Sequence, residues 1–330
     1  MVRRRKLALA MVFLAGTMLA AATVRHDESL DEARRAYEAS DYPKAIQILQ
    51  EAAGKEPKNG DIQLLLAKSY LEMQEHDAAI RSAEKAVALD PENSIYHEWL
   101  GKAFGEKADH AGWFSAISLA KKTRKEFQTA VELDNRNFSA RQALIEFDCS
   151  APGMVGGGED KALPHIRELM GMDAAEGHYA TGNCRRQKKD FTAADEEFAK
   201  ALESQPKSAA LIYDIGDYAM KRGQPERLLA VAEAGERVAP NDPRGRFYRG
   251  VGLVLRKEEL IEAETLLQEY AKRAPKRNGY PSPAAAHVWL GRLYAIKSDT
   301  EEAKKEFENA LRVDPKNKAA QEELKKLKKG

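Results

Sequence analysis

Seven histidines, two cysteines and one triple glycine are the residues of this 330-residue chain with the plainest capacity for chemistry. A zinc site needs three or four clustered ligands, and a zinc hydrolase sets two His four apart on a helix with Glu between them. His26, His76, His97, His110, His165, His178 and His287 are dispersed, and His97-Glu98 has no second His in register. Neither Cys149 nor Cys184 belongs to a Cys-x-x-Cys or Cys-x-x-Cys-His arrangement, which removes thioredoxin-like and haem-attachment chemistry. Gly156-Gly157-Gly158 runs into Glu159-Asp160, where a phosphate loop needs Lys and Ser or Thr, and two carboxylates there repel phosphate. No Gly-x-Ser-x-Gly nucleophile elbow occurs. Glu196-Glu197 and Glu301-Glu302 read as solvated helical faces. The sequence therefore predicts no catalytic residue, no metal, no cofactor and no small-molecule substrate.

What recurs instead is a packing pattern. Ala45, Leu49, Ala52 and Pro57 form one copy, and Ala79, Ala83, Ala86 and Pro91 the next, with Ala67 and Tyr70 upstream. Ala194, Phe198, Ala201 and Pro206 repeat it after Gly182. Leu228, Ala232, Gly235 and Pro240 follow Ile215-Gly216 and Ala219, and Ala263, Leu267, Tyr270 and Pro275 follow Gly250-Val251-Gly252. The clearest copy is Leu290-Gly291, Tyr294, Ala303, Phe307, Ala310 and Pro315. Apolar residues three and four apart line one helix face, small residues admit a close neighbour, and proline marks a stop. Pro57 and Pro91, like Pro206 and Pro240, stand 34 positions apart. Repeats of this size cannot bury their apolar faces singly, so stacking must supply the core.

This order and spacing resembles the tetratricopeptide repeat family, with His287 where the family most often has Trp. The resemblance runs from about Leu30 to Leu327. It implies an all-α, right-handed superhelical solenoid of about eight helix-turn-helix repeats, closed by a capping helix over 316–329. It also implies a concave groove lined by first helices that takes a protein or peptide. Projected into that groove are Lys68, Glu72, Lys102, Asn183, Arg186, Tyr213, Asp217, Tyr248, Arg256 and Arg292. Asn183, Tyr213, Tyr248 and Arg256 fall on successive repeats and could meet one continuous ligand. Some family members grip a peptide's terminal carboxylate with Lys, Asn and Arg. Asn183 and Arg249 suit that role, but Tyr179 stands in place of the Lys and Asp214 in place of a second Asn. An Asp there repels a carboxylate, so no such clamp is expected.

Two adjacent repeats, at about 94–174, depart from the pattern. Trp99-Leu100-Gly101 and Phe104 begin normally, yet Phe127, Ala130 and Asn135 arrive about ten residues late, after an insertion near 107–119 that carries Trp113 and Phe114. A second insertion, near 150–160, holds the triple glycine. The sequence reading packs these two insertions on each other, with Trp113 and Phe114 as candidate contact residues, since per-repeat insertions map to loops.

At the N-terminus, Arg3-Arg4-Arg5-Lys6 precedes an apolar run that ends in Ala20-Ala21-Ala22. This is the layout of a secretory signal peptide over 1–22, with the repeats over 23–330. The alternative is an uncleaved inner-membrane anchor over residues 7–24, the membrane contact otherwise being absent. Either way the repeats face out of the cytoplasm, in the periplasm or extracellular space. Setting aside those four basic residues leaves 49 basic against 52 acidic side chains, a balance that argues against nucleic acid. In an oxidising compartment Cys149 and Cys184, on neighbouring first helices, are candidates for a disulfide; two semi-buried free thiols are the default. The expected function is an exported, non-enzymatic scaffold or adaptor for a protein or peptide partner, in envelope assembly or secretion. The alternative is a structural or self-associating subunit of an envelope complex.

Overall fold

The computed structural model describes residues 28–275 and 279–327; the expected signal or anchor lies outside them. The helices are α1 (28–38), α2 (Tyr42–Lys55), α3 (Gly60–Glu72), α4 (His76–Leu89), α5 (Ser94–Asp109), α6 (Trp113–Leu133) and α7 (Phe138–Ser150). They continue with α8 (Glu159–Met172), α9 (Ala174–Gln187), α10 (Phe191–Glu203), α11 (Ala209–Arg222) and α12 (Pro225–Val238). The last are α13 (Pro243–Arg256), α14 (Leu260–Arg273), α15 (Pro283–Ile296), α16 (Thr300–Val313) and α17 (Lys318–Leu327). In chain order these are eight helix pairs and a final single helix, with no strand among the described residues. None of the described helices is long and apolar enough to cross a membrane.

The junctions between pairs follow from three residues. Proline ends one second helix, and two positions later a short polar side chain caps the next first helix. Asn59 Oδ1 accepts from the Asp61 amide at 3.0 Å, Asn93 Oδ1 from Ile95 at 3.1 Å, and Asp242 Oδ1 from Arg244 at 2.9 Å. Each such cap contributes about 1 kcal/mol by satisfying amides that have no intrahelical partner. Within pairs, a glycine faces an aromatic ring. A Cβ built on Gly101 would lie 2.7 Å from Phe127, on Gly182 2.6 Å from Phe198, and on Gly291 2.4 Å from Phe307. The small residue is therefore what lets the second helix seat its ring against the first.

The chain divides into two compact units, with α7 shared between them. The first holds the described residues up to Leu144 together with Gly153–Gly156. Its buried residues form three clusters, one with Leu49, Ile62 and Leu66, one with Ile80, Leu100 and Phe104, and one with Phe127 and Leu144. The second holds Ile145–Pro152 and the chain from Gly157 onward. One continuous core joins Phe198, Ile212, Phe247, Leu267, Leu290 and Phe307. Here α17 covers the last pair: Ala320 is fully buried, and Leu324 and Leu327 pack on the same core.

The irregular repeats are built differently from the sequence reading. The segment 107–119 is helix at both ends, not a lengthened turn. α5 extends to Asp109 and α6 begins at Trp113 and runs for 21 residues, against 13 or 14 in most of the others. Trp113 and Phe114 do not pack over the glycine loop; they are 67% and 87% exposed. The side chain that meets the loop is Arg124, whose Cδ would lie 3.0 Å from a Cβ on Gly156.

Candidate binding faces of the first helices

In the first unit, Lys68 on α3 and Lys102 on α5 both lie over the Trp99 indole, at 4.5 and 4.4 Å from the ring centroid. Lys102 also bonds Glu98, one turn back, and Glu98 accepts from the Ser139 hydroxyl at 2.6 Å. Burial alone would push the Glu98 carboxyl up. The Lys102 charge and these hydrogen bonds outweigh it and hold the group below the usual range. Lys68 feels the Glu98 and Asp61 charges but forms no ion pair among the described residues. Burial, helped by the Lys102 charge, lowers its pKa. Glu72 accepts a hydrogen bond from the Tyr37 hydroxyl at 3.4 Å.

In the second unit the face is acidic. Tyr179, Asn183, Arg186 and Gln187 follow one another at helical spacing along α9. The Tyr179 hydroxyl donates to Asp214 Oδ2 at 2.9 Å, and Arg186 Nη1 reaches the same oxygen at 3.3 Å. Gln187 Nε2 donates to Glu146 Oε1 at 3.3 Å. Asp217 accepts from the Tyr248 hydroxyl at 2.7 Å. Burial, with the charge of Asp214 added, raises the pKa of both Glu146 and Asp217. Glu146 is exposed as a residue, yet neighbouring protein displaces part of its carboxylate's hydration.

Several residues expected in the groove are elsewhere. Tyr213 and Tyr248 are 2% and 0% exposed. The Tyr213 ring stacks on Tyr248 and fills the space beside Gly235. Burial and the Asp242 charge push its hydroxyl up to about 12. These tyrosines fasten one helix pair to the next and present nothing to a ligand. The Asn183, Tyr213, Tyr248 and Arg256 line therefore does not exist as a surface. Asn183 itself is 5% exposed. Arg256 pairs with Glu258 at 2.7 Å and Glu226 at 3.6 Å, and Arg249 with Glu262 at 2.6 Å. Arg292 is held by Glu323 of α17 at 2.9 Å, over the Trp289 ring. The capping helix thus occupies that stretch of the last first helix.

Two features escaped the sequence reading. Three of the dispersed histidines share a register: His97, His178 and His287 each lie four residues before the glycine that receives a phenylalanine. Each Nδ1 meets the Glu preceding that phenylalanine, with His97–Glu126 at 2.6 Å, His178–Glu197 at 2.8 Å and His287–Glu306 at 2.7 Å. The pair clamps first helix to second beside the ring, so these histidines are structural. The second feature is Arg244, which pairs with Asp242 at 2.7 Å and lies 4.1 Å over Tyr213 and 4.2 Å over Tyr280.

The cysteines are not free. Cys149 on α7 and Cys184 on α9 form a disulfide with Cα atoms 5.4 Å apart. The glycine loop is spent on backbone geometry. A Cβ at Gly157 would lie 2.0 Å from the Ala151 carbonyl oxygen, and Gly156 holds φ at +102°. The Gly157 and Gly158 amides donate to Pro152 and Asp148 carbonyls, which leaves no phosphate cradle. Among the described residues no three His, Cys, Asp or Glu side chains converge as metal ligands.

Comparison with known proteins agrees with the register. Tetratricopeptide repeat profiles match residues 36–103, and again 175–208 and 284–317. No curated protein matches the chain. Yeast Tom70 aligns at a TM-score of 0.57 and 14% identity, covering 92% of this chain and 64% of that one. MamA aligns over 52% of this chain and 93% of its own, at 21% identity and a TM-score of 0.39. YrrB, described as a TPR protein with an unusual peptide-binding site, aligns over 75% of this chain and all of its own, at 21% identity and a TM-score of 0.37. At such identities the Tom70 likeness speaks to fold alone. Glycine against phenylalanine, the proline-and-cap junctions and the matched profiles meet in one register, and the chain is a tetratricopeptide repeat protein.

Proposed function

We propose that this protein is an exported, non-enzymatic adaptor that binds an extended stretch of a partner polypeptide along its first-helix faces. Tetratricopeptide repeat proteins generally bind proteins or peptides, and the fold by itself says no more than that. The observation that carries the reading is Lys68. It is a half-buried ammonium with no ion-pair partner among the described residues, set over an indole beside a second lysine. The core does not need it, and an acidic or carbonyl oxygen on a partner supplies what it lacks. The Arg3–Lys6 head and apolar run support export. The disulfide supports it too, because such bonds persist in oxidising compartments. Envelope assembly or secretion is the setting in which an exported adaptor of this kind would serve.

The second reading, a self-associating subunit, draws on Trp113 and Phe114, two adjacent aromatics exposed at the start of α6. Replacing both with Ala is expected to change thermal stability by less than about 0.5 kcal/mol, as for other surface positions. A drop of several degrees in Tm would show that they are packed after all. The test of the adaptor reading is recovery of the tagged protein from its native envelope beside Lys68→Glu. A partner lost in the variant, at unchanged Tm, supports a first-helix site. A partner kept by Lys68→Glu but lost on Trp113→Ala/Phe114→Ala moves the site to α6, and recovery of the protein alone favours self-association.

A further inference from the structure

We propose that the first-helix face of the second unit, formed by α7, α9 and α11, holds a cationic side chain of the bound polypeptide, an arginine guanidinium or a lysine ammonium. This rests on the adaptor reading and names the chemistry of one of its subsites.

Three observations meet there. First, the carboxylates of Glu146, Asp214 and Asp217 face Arg186, Lys221 and Arg244, of which Arg186 is already held by Asp214 and Arg244 by Asp242. Glu146 has Gln187 as its hydrogen-bond donor, at 3.3 Å, and otherwise lies open to solvent. Second, Asn183 is 95% removed from solvent by its 5% exposure, and its Oδ1 accepts from no protein group. It stands one turn from Tyr179, which bonds Asp214, and one turn from Gln187, which bonds Glu146. A buried amide oxygen without a donor costs about 1–3 kcal/mol, and a ligand N–H would remove that cost. Third, only a donor-rich cation satisfies both groups together. A carboxylate or phosphate would meet like charge, whereas a guanidinium carries five N–H groups and no acceptor. Burial is the main cause of the raised pKa values of Glu146 and Asp217, and the Asp214 charge adds to it.

The test uses the full chain and two end-blocked Ala-rich peptides that differ at one position, Arg in one and Gln in the other. The arginine peptide is expected to bind wild type at least about tenfold more tightly than it binds Glu146→Gln. The glutamine peptide should bind both proteins weakly and alike. Glu146→Asp should restore part of the affinity. Arginine-peptide affinity should also rise with pH as Glu146 ionises above the ordinary carboxylate range. The groups facing Glu146 are Arg186, Asp214 and Tyr179, and Glu146→Gln should flatten that pH dependence. Equal affinity for the two peptides, or an arginine affinity that Glu146→Gln leaves intact, overturns the cation site. If both peptides bind equally and Lys68→Glu weakens them, the adaptor reading survives without it. If neither peptide binds, the cation site fails, and the envelope recovery with Lys68→Glu decides the adaptor reading separately.

Discussion

Arg244→Ala should destabilise the second unit by about 3–5 kcal/mol, the usual result of removing one partner from a buried ion pair. Arg244 and Asp242 are 13% and 11% exposed in their side chains. The guanidinium also lies over two tyrosine rings and donates to the Gly279 carbonyl at 3.0 Å. Truncation strands the Asp242 carboxylate among Tyr213, Tyr280 and the α13 N-terminus. Urea unfolding of Arg244→Ala, Asp242→Asn and the double variant measures the coupling. Asn at 242 keeps the helix cap, so the double variant should be less destabilised than the sum of the singles. Additivity would mean that the pair is not coupled. The pH dependence has a definite sign. Burial raises the Asp242 carboxyl, but the Arg244 hydrogen bonds and charge outweigh it, and the net shift is downward. A depressed folded pKa stabilises above the unfolded value of about 3.9 and loses that stability as pH falls through the folded value. Arg244→Ala should therefore lose part of the wild-type acid limb below about pH 4.

Removing the disulfide is the second large effect. Cys149 and Cys184 are 35 positions apart, and the loop-entropy relation gives about 4 kcal/mol for a closed loop of that size. Cys149→Ala/Cys184→Ala should lose that much in urea unfolding, and wild type in reductant should match it. The bridge joins the end of α7 to α9 beside Glu146 and Gln187. Its loss should therefore speed amide exchange in α7 beyond Leu144 more than in α15 and α16. Identical unfolding with and without reductant would show that the bridge constrains nothing.

The fold was legible because its rule is local. Small and large residues at helical spacing, a proline, and an Asn, Ser or Asp two positions later specify pair after pair without distant information. The length of α6 was legible too. From Trp113 to Leu133 there is no glycine or proline, so nothing in those residues ends a helix, and a longer helix follows more simply than a longer loop. The His and Glu clamps were hidden by treating each histidine alone; aligned on Gly101, Gly182 and Gly291 they coincide. Tyrosine was the hardest case. A helical projection gives the direction of Tyr213 and Tyr248 but not the neighbour that closes over them. Gly235 and Arg244 do that for Tyr213 from the following helices, and Gly216 on α11 receives the Tyr248 ring. Whether the thiols were bridged depended on a Cα separation that no spacing encodes.

The account's central claim is that a partner polypeptide lies against first helices. The most direct measurement is site-specific photo-crosslinking in the native envelope. A probe at Leu64, partly exposed one turn before Lys68 on α3, is compared with one at Lys85, exposed on second helix α4. A crosslinked polypeptide is expected from position 64 and none from 85. Crosslinks from 85 alone, or equally from both, would contradict it.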